Sequence, residues 1–190
     1  VFDLLRAEDT LIVVDPAMAD HGRLYKPFAP DFPQYMKKVC RRADVLVPNL
    51  TEACLLTDTP YREDPDEAFV RGLLRKLSAL APRVVLTGVS FDDEHLGAMS
   101  YDRAAGRYFT YFNEKIHATF HGTGDIFTAT VLGGMMQGRT LEEAVRLAVD
   151  FTLECIRCTC ADPAASWYGV EFEKALPWLA EQTGKAGSPT

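Results

Sequence analysis

Residues 11–16 read Leu-Ile-Val-Val-Asp-Pro, and this stretch decides the fold. A short, continuous run of mostly β-branched apolar residues that ends in Asp-Pro predicts a buried strand whose carboxyl end carries a carboxylate. The arrangement recurs in residues 44–48, which end in Pro, and in residues 83–88, which end in Thr-Gly. Three buried strands that each end in polar or turn residues are typical of a parallel sheet, so we expect the functional edge at their carboxyl ends.

Helical patterns separate these strands. Residues 32–42 predict one helix, and apolar side chains spaced four, four and three residues apart from Phe69 to Leu80 predict another between positions 65 and 82. Parallel strands require such crossover helices. Residues 96–101 and 107–112 flank a turn, which predicts an antiparallel hairpin appended to the sheet.

Two further helices are predicted towards the C-terminus. Residues 126–136 form a helical run, and Thr140 with Glu143 matches a capping box that opens a helix ending near residue 162. Alternating strands and helices predict the α/β class, with a mostly parallel sheet and flanking helices.

Composition and charge exclude several classes of protein. The chain has 190 residues, 47% of them hydrophobic and 25% charged, which is typical of one ordinary soluble domain. With 27 acidic and 20 basic side chains the net charge is −7, so we expect no nucleic-acid partner. No apolar run approaches the roughly 18 residues of a membrane-spanning helix, so we expect no membrane partner.

The cysteine pattern favours a reducing compartment. Five cysteines are an odd number for a disulfide framework, and three of them crowd into residues 155–160. Cys155 and Cys158 form a CxxC pair, but no second pair supplies the other half of a zinc site. We therefore expect reduced thiols and a cytoplasmic protein.

The segment His-Gly-Thr-Gly-Asp at residues 121–125 is the most informative for chemistry. Glycines let the backbone approach a ligand closely, and a helix start offers unpaired N–H groups and the positive end of the helix dipole, which would stabilise a phosphoryl group. Asp125 has two interpretations here. It caps the helix, which is the commoner role of Asp at helix starts, or it is a general base that accepts the proton of an attacking hydroxyl.

A second motif, Pro-Asn-Leu-Thr-Glu at residues 48–52, follows the second strand. Asn49 and Glu52 lie three residues apart, so a helical turn would place both on one side, where their oxygens suit Mg²⁺ directly or through its waters. The structural alternative is a helix start, because Asn is a favoured N-cap and Glu at N3 nearly completes a capping box. The two interpretations are compatible. The chain has neither a GxxxxGK[ST] P-loop nor a GxGxxG after a strand.

Four motifs in this order resemble the ribokinase-like superfamily. They are residues 15–20 (Asp-Pro-Ala-Met-Ala-Asp) with Gly22 and Tyr25, residues 47–53, residues 86–88 (Leu-Thr-Gly) and residues 122–125 (Gly-Thr-Gly-Asp). Within the superfamily the chain looks most like the pyridoxal (pyridoxine, pyridoxamine) kinases, over residues 11 to 179. The resemblance implies a three-layer fold with a mostly parallel sheet, in a single kinase domain over residues 1–190. The Gly, Ser and Pro residues of 182–190 predict a flexible tail there.

The resemblance implies ATP-dependent phosphorylation of the primary alcohol of a B6 vitamer, giving the 5′-phosphate. Asp125 would be the catalytic base, and the backbone of Gly122, Thr123 and Gly124 would form the anion hole. Asn49 and Glu52 would position Mg²⁺ and phosphate. The other implied nucleotide contacts are Asp15, Asp20, Tyr25, Thr87, Gly88, Ile116 and Phe120. Many relatives have Ser where this chain has Gly88.

The resemblance also leaves alternatives open. A hydroxymethylpyrimidine or sugar kinase of the same superfamily would use the same phosphate machinery. Kinases of this family carry further strands and much of the vitamin pocket before the equivalent of Leu11, where this chain has ten residues. The resemblance therefore implies an N-terminally truncated chain, and a non-catalytic nucleotide-binding fragment is the third possibility. Relatives are commonly homodimers, and a monovalent cation can assist the reaction.

Overall fold

A computed structural model describes residues 6–7, 10–118, 120–165 and 168–184. The contacts divide the chain into two compact units, the first from residues 1–92 and 97–110 and the second from residues 93–96 and 111–190. The single kinase domain over residues 1–190 stays a prediction.

The first part of the chain alternates short strands with helices. Its elements are β1 (Val13–Val14), β2 (Ala19–Asp20), β3 (Arg23–Leu24), α1 (Phe32–Cys40), β4 (Val45–Leu46), α2 (Leu50–Leu56), α3 (Glu67–Leu77) and β5 (Arg83–Val89). Strands β6 (His95–Asp102) and β7 (Arg107–Glu114) follow. The predicted hairpin is thus confirmed, with longer strands than the pattern indicated.

The sheet has the order β1-β4-β5-β6-β7. Strand β4 pairs in parallel with β1 and β5, and β6 pairs antiparallel to β5. The predicted α/β fold with a mostly parallel sheet is confirmed. Val84, Val85 and Leu86 are consecutive in β5 and fully buried, so both faces of this strand are covered. Helices α2 and α3 pack against β5.

Helix α3 is capped at its start and buries one apolar face, as its sequence pattern indicates. Asp66 caps it by accepting the N–H of Phe69 at 2.7 Å. Leu73 and Leu77 are buried as predicted, but Val70 and Leu74 complete the buried face. The ends of the predicted stripe, Phe69 and Leu80, are only half-buried.

The second unit is helical after β7. Its elements are α4 (Thr123–Met136), α5 (Leu141–Ala161), a 3-10 helix (Phe172–Ala175) and α6 (Leu176–Gly184). Helix α5 begins with the predicted capping box of Thr140 and Glu143. Helices α4 and α5 pack closely at Gly134, where an added Cβ would lie 3.1 Å from the Ala144 Cβ.

The C-terminal segment packs on α5. Phe151, Cys155 and Ala175 form a buried cluster that Trp178 and Leu179 extend. Helix α6 continues to Gly184, so the first three residues of the predicted tail are helical, and residues 185–190 lie outside the described residues. Among the described helices, none combines the length and the apolar composition needed to cross a membrane.

Candidate functional site

The carboxyl ends of the parallel strands meet in the first unit. Asp15 follows β1 directly, and Asn49 lies beyond β4. The Thr87 N–H of β5 donates to the Pro48 carbonyl at 3.0 Å, and Asn49 and Thr87 form an isolated parallel bridge. The structure therefore brings Asp15, Asn49 and Thr87 to one edge of the sheet.

The motif at residues 48–52 starts helix α2 as a complete capping box. The Asn49 Oδ1 accepts the Glu52 N–H at 3.0 Å, and the Glu52 Oε2 accepts the Asn49 N–H at 2.9 Å. Each side chain thus satisfies a donor of the other residue at the helix start. The structural interpretation of this motif is confirmed.

The same helix start also holds the segment that follows β1. The Glu52 Oε1 accepts the N–H groups of Met18 at 2.9 Å and of Ala19 at 3.4 Å. The Asn49 Nδ2 donates to the Ala19 carbonyl at 2.8 Å. One residue of the motif that no prediction singled out, Thr51, accepts the Gly22 N–H on its Oγ1 at 2.9 Å. The N-cap of α2 and two side chains of its first turn therefore hold residues 18, 19 and 22.

These contacts bear on whether Glu52 and Asn49 could bind Mg²⁺. Glu52 is only 2% exposed, and its two oxygens already accept three backbone N–H groups. The Asn49 oxygen is used in the cap. No cluster of three or more His, Cys, Asp or Glu that could hold a metal occurs among the residues that the structure describes. The oxygens of both side chains thus serve backbone donors in this structure, and a part for Asn49 and Glu52 in holding Mg²⁺, directly or through its waters, stays a prediction.

Burial also changes the acidity of Glu52. Loss of solvation raises the pKa of its carboxyl from 4.5 to about 7, and the charge of Asp15 acts in the same direction. The N–H groups of Asn49, Met18 and Ala19 lower the pKa but only partly offset the burial. The chain therefore keeps a weakly acidic carboxyl beside Asp15.

Strands β2 and β3 form a small hairpin that sequence analysis missed. Ala19 pairs with Leu24 and Asp20 with Arg23, leaving a two-residue turn. Both turn residues have positive φ, +48° at His21 and +75° at Gly22, as in the turns that suit two-residue hairpins. The predicted nucleotide contacts Asp20 and Tyr25 lie in and just after this hairpin, and both are exposed.

Gly88 lies within strand β5, at an irregularity in its pairing with β6. Its φ is +66°, and the pairing with β6 shifts register between Thr87 and Val89. A serine here would take the left-handed conformation that disfavours side chains. Glycine adopts this conformation without that cost, so Gly88 has a backbone reason in this chain.

The glycine-rich motif lies in the second unit. Gly122 is the N-cap of α4 with φ +86°, and the helix begins at Thr123, three residues before the predicted start. The predicted start at residue 126 was wrong because the left-handed Gly122 lets the helix begin at once, and the N-cap is Gly122 rather than Asp125. The first helical hydrogen bond runs from the Ile126 N–H to the Gly122 carbonyl at 3.1 Å.

Asp125 is therefore at the third position of α4, exposed in its first turn. The N–H groups of Thr123, Gly124 and Asp125 precede the first helical hydrogen bond, so they lie at the positive end of the helix dipole. N–H donors that could bind an anion and an exposed carboxylate thus lie on the same helical turn. The predicted adenine contacts Ile116 and Phe120 are half-buried in the preceding segment, where Thr119 lies outside the described residues.

A groove of about 330 Å³ lies at the opposite, amino ends of the parallel strands. Asp44, Arg83 and Asp102 contribute to its lining. Asp44 pairs with Arg6 at 2.6 Å, and Arg83 pairs with Asp102 at 3.4 Å. The charged side chains that line the groove thus form ion pairs within the fold. None of the predicted site residues lines the groove.

Comparison with known proteins identifies relatives over most of the chain. Residues 1–166 match the profile of the family described as phosphomethylpyrimidine kinase. A pyridoxal kinase of Arabidopsis thaliana is 32% identical over 160 residues, which cover 82% of this chain and 51% of that relative.

Solved structures of similar proteins also match most of this chain. A Bacteroides thetaiotaomicron protein, provisionally named phosphomethylpyrimidine kinase and crystallised in a form with pyridoxal, is 34% identical with a TM-score of 0.87, over 94% of this chain and 63% of that one. Pyridoxal kinase from Lactobacillus plantarum is 28% identical with a TM-score of 0.83, over 93% of this chain and 63% of that one.

The chain spans between 51% and 63% of the length of these relatives. The matches confirm the resemblance to pyridoxal kinases that the four ordered motifs predicted. The chain belongs to the phosphomethylpyrimidine kinase family.

Proposed function

We propose that the chain transfers the γ-phosphoryl group of ATP to the primary alcohol of a B6 vitamer, giving the vitamer 5′-phosphate and ADP. The observation that carries this proposal is the start of α4, where Gly122 in the left-handed conformation places N–H groups that have no partner within the helix and the Asp125 carboxylate on one turn. Phosphoryl transfer needs charge stabilisation and positioning more than covalent help, and this turn offers both.

The bond changes follow from these two groups. The alcohol oxygen attacks the γ-phosphorus, the bond to the β–γ bridging oxygen breaks, and ADP leaves with that electron pair. Asp125 accepts the proton of the alcohol. The N–H groups at the start of α4 stabilise the negative charge on the phosphoryl oxygens during transfer.

Mg²⁺ belongs to the nucleotide substrate in this proposal, because ATP enters as its magnesium complex. We assign the nucleotide contacts to Asp15, Asp20, Tyr25, Thr87, Gly88, Ile116 and Phe120. Asn49 and Glu52 serve the nucleotide indirectly by holding residues 18–19 in place. A homodimer, a monovalent cation and a cytoplasmic location stay predictions.

A second candidate substrate is a hydroxymethylpyrimidine or its phosphate. The name of the matching family favours it. The B6 vitamers come first because the Arabidopsis thaliana relative, identical at 32% of positions, is a pyridoxal kinase and the Bacteroides thetaiotaomicron structure was obtained with pyridoxal.

Replacement of Asp125 by Asn tests the assignment of the base. Loss of a general base lowers turnover by about 10²- to 10⁴-fold, so we expect Asp125→Asn to lose vitamer-dependent ADP formation while the Kd for MgADP stays within about twofold. The matched control is Glu143→Gln, since Glu143 holds the same third position in α5. Near-normal turnover by Asp125→Asn would refute the assignment.

A further inference from the structure

Thr51 is a buried residue of helix α2 to which no motif assigned a role. It is 3% exposed, and its Oγ1 accepts the Gly22 N–H at 2.9 Å. A hydroxyl buried at the start of a helix is used where it has a specific partner, because an unpaired polar group is costly to bury. The partner here is the turn of the β2–β3 hairpin.

Gly22 is held from a second direction by Tyr61. A Cβ added at Gly22 would lie 2.9 Å from the Tyr61 Cδ1, so the ring packs directly against the glycine. The residue also has φ +75° and follows His21 at +48°, so the turn leaves little freedom for rearrangement. The Thr51 hydroxyl and the Tyr61 ring together fix the tip of the hairpin.

The hairpin combines a fixed backbone with exposed side chains. Its first strand is tied to Asn49 and Glu52, and its turn is tied to Thr51. Asp20 and Tyr25 are exposed, Tyr25 by 46%. Side chains presented from a held backbone are suited to bind a ligand in one geometry.

We propose that Thr51 is a positioning residue for the nucleotide: its hydroxyl fixes Gly22 and so sets the hairpin that presents Asp20 and Tyr25. This inference rests on the proposed function, in which these two residues contact ATP. Thr51 acts through the backbone of the hairpin and touches neither the nucleotide nor the vitamer.

Two variants separate the hydroxyl from the rest of the side chain. Thr51→Val keeps the shape and removes the acceptor, whereas Thr51→Ser keeps the acceptor and removes the methyl group. The first measurement is the rate at which trypsin cleaves after Arg23, an exposed residue of β3. Cleavage after the exposed Arg107 at the start of β7 is the internal control.

We expect Thr51→Val to accelerate cleavage after Arg23 about fivefold. The loss of one neutral hydrogen bond raises the population of the opened hairpin, which trypsin cleaves, by about that factor. Thr51→Ser should stay within about twofold of the wild type. Cleavage after Arg107 should be the same in all three proteins, which also shows that the variants fold. Wild-type cleavage in Thr51→Val, or equal acceleration in both variants, would overturn the proposal.

The second measurement is the Kd for MgADP by calorimetry. The nucleotide must restore the hairpin position that Thr51→Val no longer holds, so we expect a Kd raised roughly two- to fivefold, no more than the lost hydrogen bond allows. Thr51→Ser should bind like the wild type. An unchanged Kd in Thr51→Val would refute the role of Thr51, whereas a wild type that binds no MgADP would refute the proposed nucleotide site itself.

Discussion

Replacement of Glu52 by Gln tests the buried capping box through its pH dependence. The Glu52 oxygens accept the N–H groups of Asn49 and Met18 at 2.9 Å each. A protonated carboxyl keeps acceptor lone pairs on both oxygens, but the amide nitrogen of Gln has none. One buried N–H is then left without a partner, which costs about 1–3 kcal/mol. At pH 5 we expect Glu52→Gln to unfold at roughly 0.5–1.5 M less urea, for a slope near 2 kcal/mol/M.

The difference should shrink as the pH rises. The pKa of Glu52 is about 7 in the folded chain against 4.5 as the ordinary value. Because the folded pKa is the higher one, the stability contributed by the protonated group is fully present below pH 4.5 and is lost as the pH rises through 7. The pKa difference of about 2.5 units corresponds to about 3 kcal/mol of stability that the wild type loses over this pH range. Glu52→Gln has no carboxyl group to titrate at this position, so it does not lose this stability. By pH 8 the variant should equal or exceed the wild type in stability.

Urea unfolding followed by far-ultraviolet circular dichroism at pH 5 and pH 8, without Mg²⁺ or nucleotide, measures both effects. The matched control is Glu143→Gln, which alters the same box position at the exposed start of α5, where water can replace the lost acceptor. We expect a much smaller change there, without a crossing of stabilities. A Glu52→Gln difference that is constant with pH, or no larger than that of Glu143→Gln, would refute the reasoning.

Two further predictions concern the backbone at Gly88 and the buried thiols. Gly88→Ala should lower the free energy of unfolding by about 1–2 kcal/mol, because φ is +66° although no atom would contact the added Cβ, whereas Gly72→Ala in the exposed part of α3 should raise it by about 0.5–1 kcal/mol. Equal effects in thermal unfolding would contradict the strain at Gly88. Ellman's reagent at pH 8 should modify the exposed Cys160 first and leave Cys40 and Cys155 unreacted until the chain unfolds, because burial raises the pKa of both thiols to about 12. Rapid modification of Cys155 in the folded chain would contradict this prediction.

Sequence patterns predicted the elements that depend on long runs. The three buried strands and the apolar face of α3 were recognisable because period and run length separate such elements. The capping boxes at Asn49 and Thr140 were recognisable because side-chain oxygens at fixed offsets satisfy helix donors. The strand bounds were less accurate, since β1 and β4 are two residues each while β5 continues to Val89.

The sequence could not indicate the elements that depend on tertiary contacts. The β2–β3 hairpin has two residues in each strand, and its turn places the non-glycine His21 at positive φ, so no pattern indicated it. The contact between Thr51 and Gly22 joins residues 29 positions apart. The start of α4 was predicted three residues late, because local propensity does not show that Gly122 alone makes the turn. The burial of Glu52 likewise arises only when residues 18–19 fold over α2.

The most direct test of the central claim is a product assay with the purified chain. MgATP is supplied with pyridoxal, pyridoxamine, pyridoxine or hydroxymethylpyrimidine, and ADP and the phosphorylated product are separated and quantified for the wild type and Asp125→Asn. We predict vitamer-dependent ADP formation with an equal amount of vitamer 5′-phosphate, lost in Asp125→Asn. ADP formation that needs no vitamer, phosphorylation of hydroxymethylpyrimidine alone, or no vitamer phosphate at all would contradict the claim.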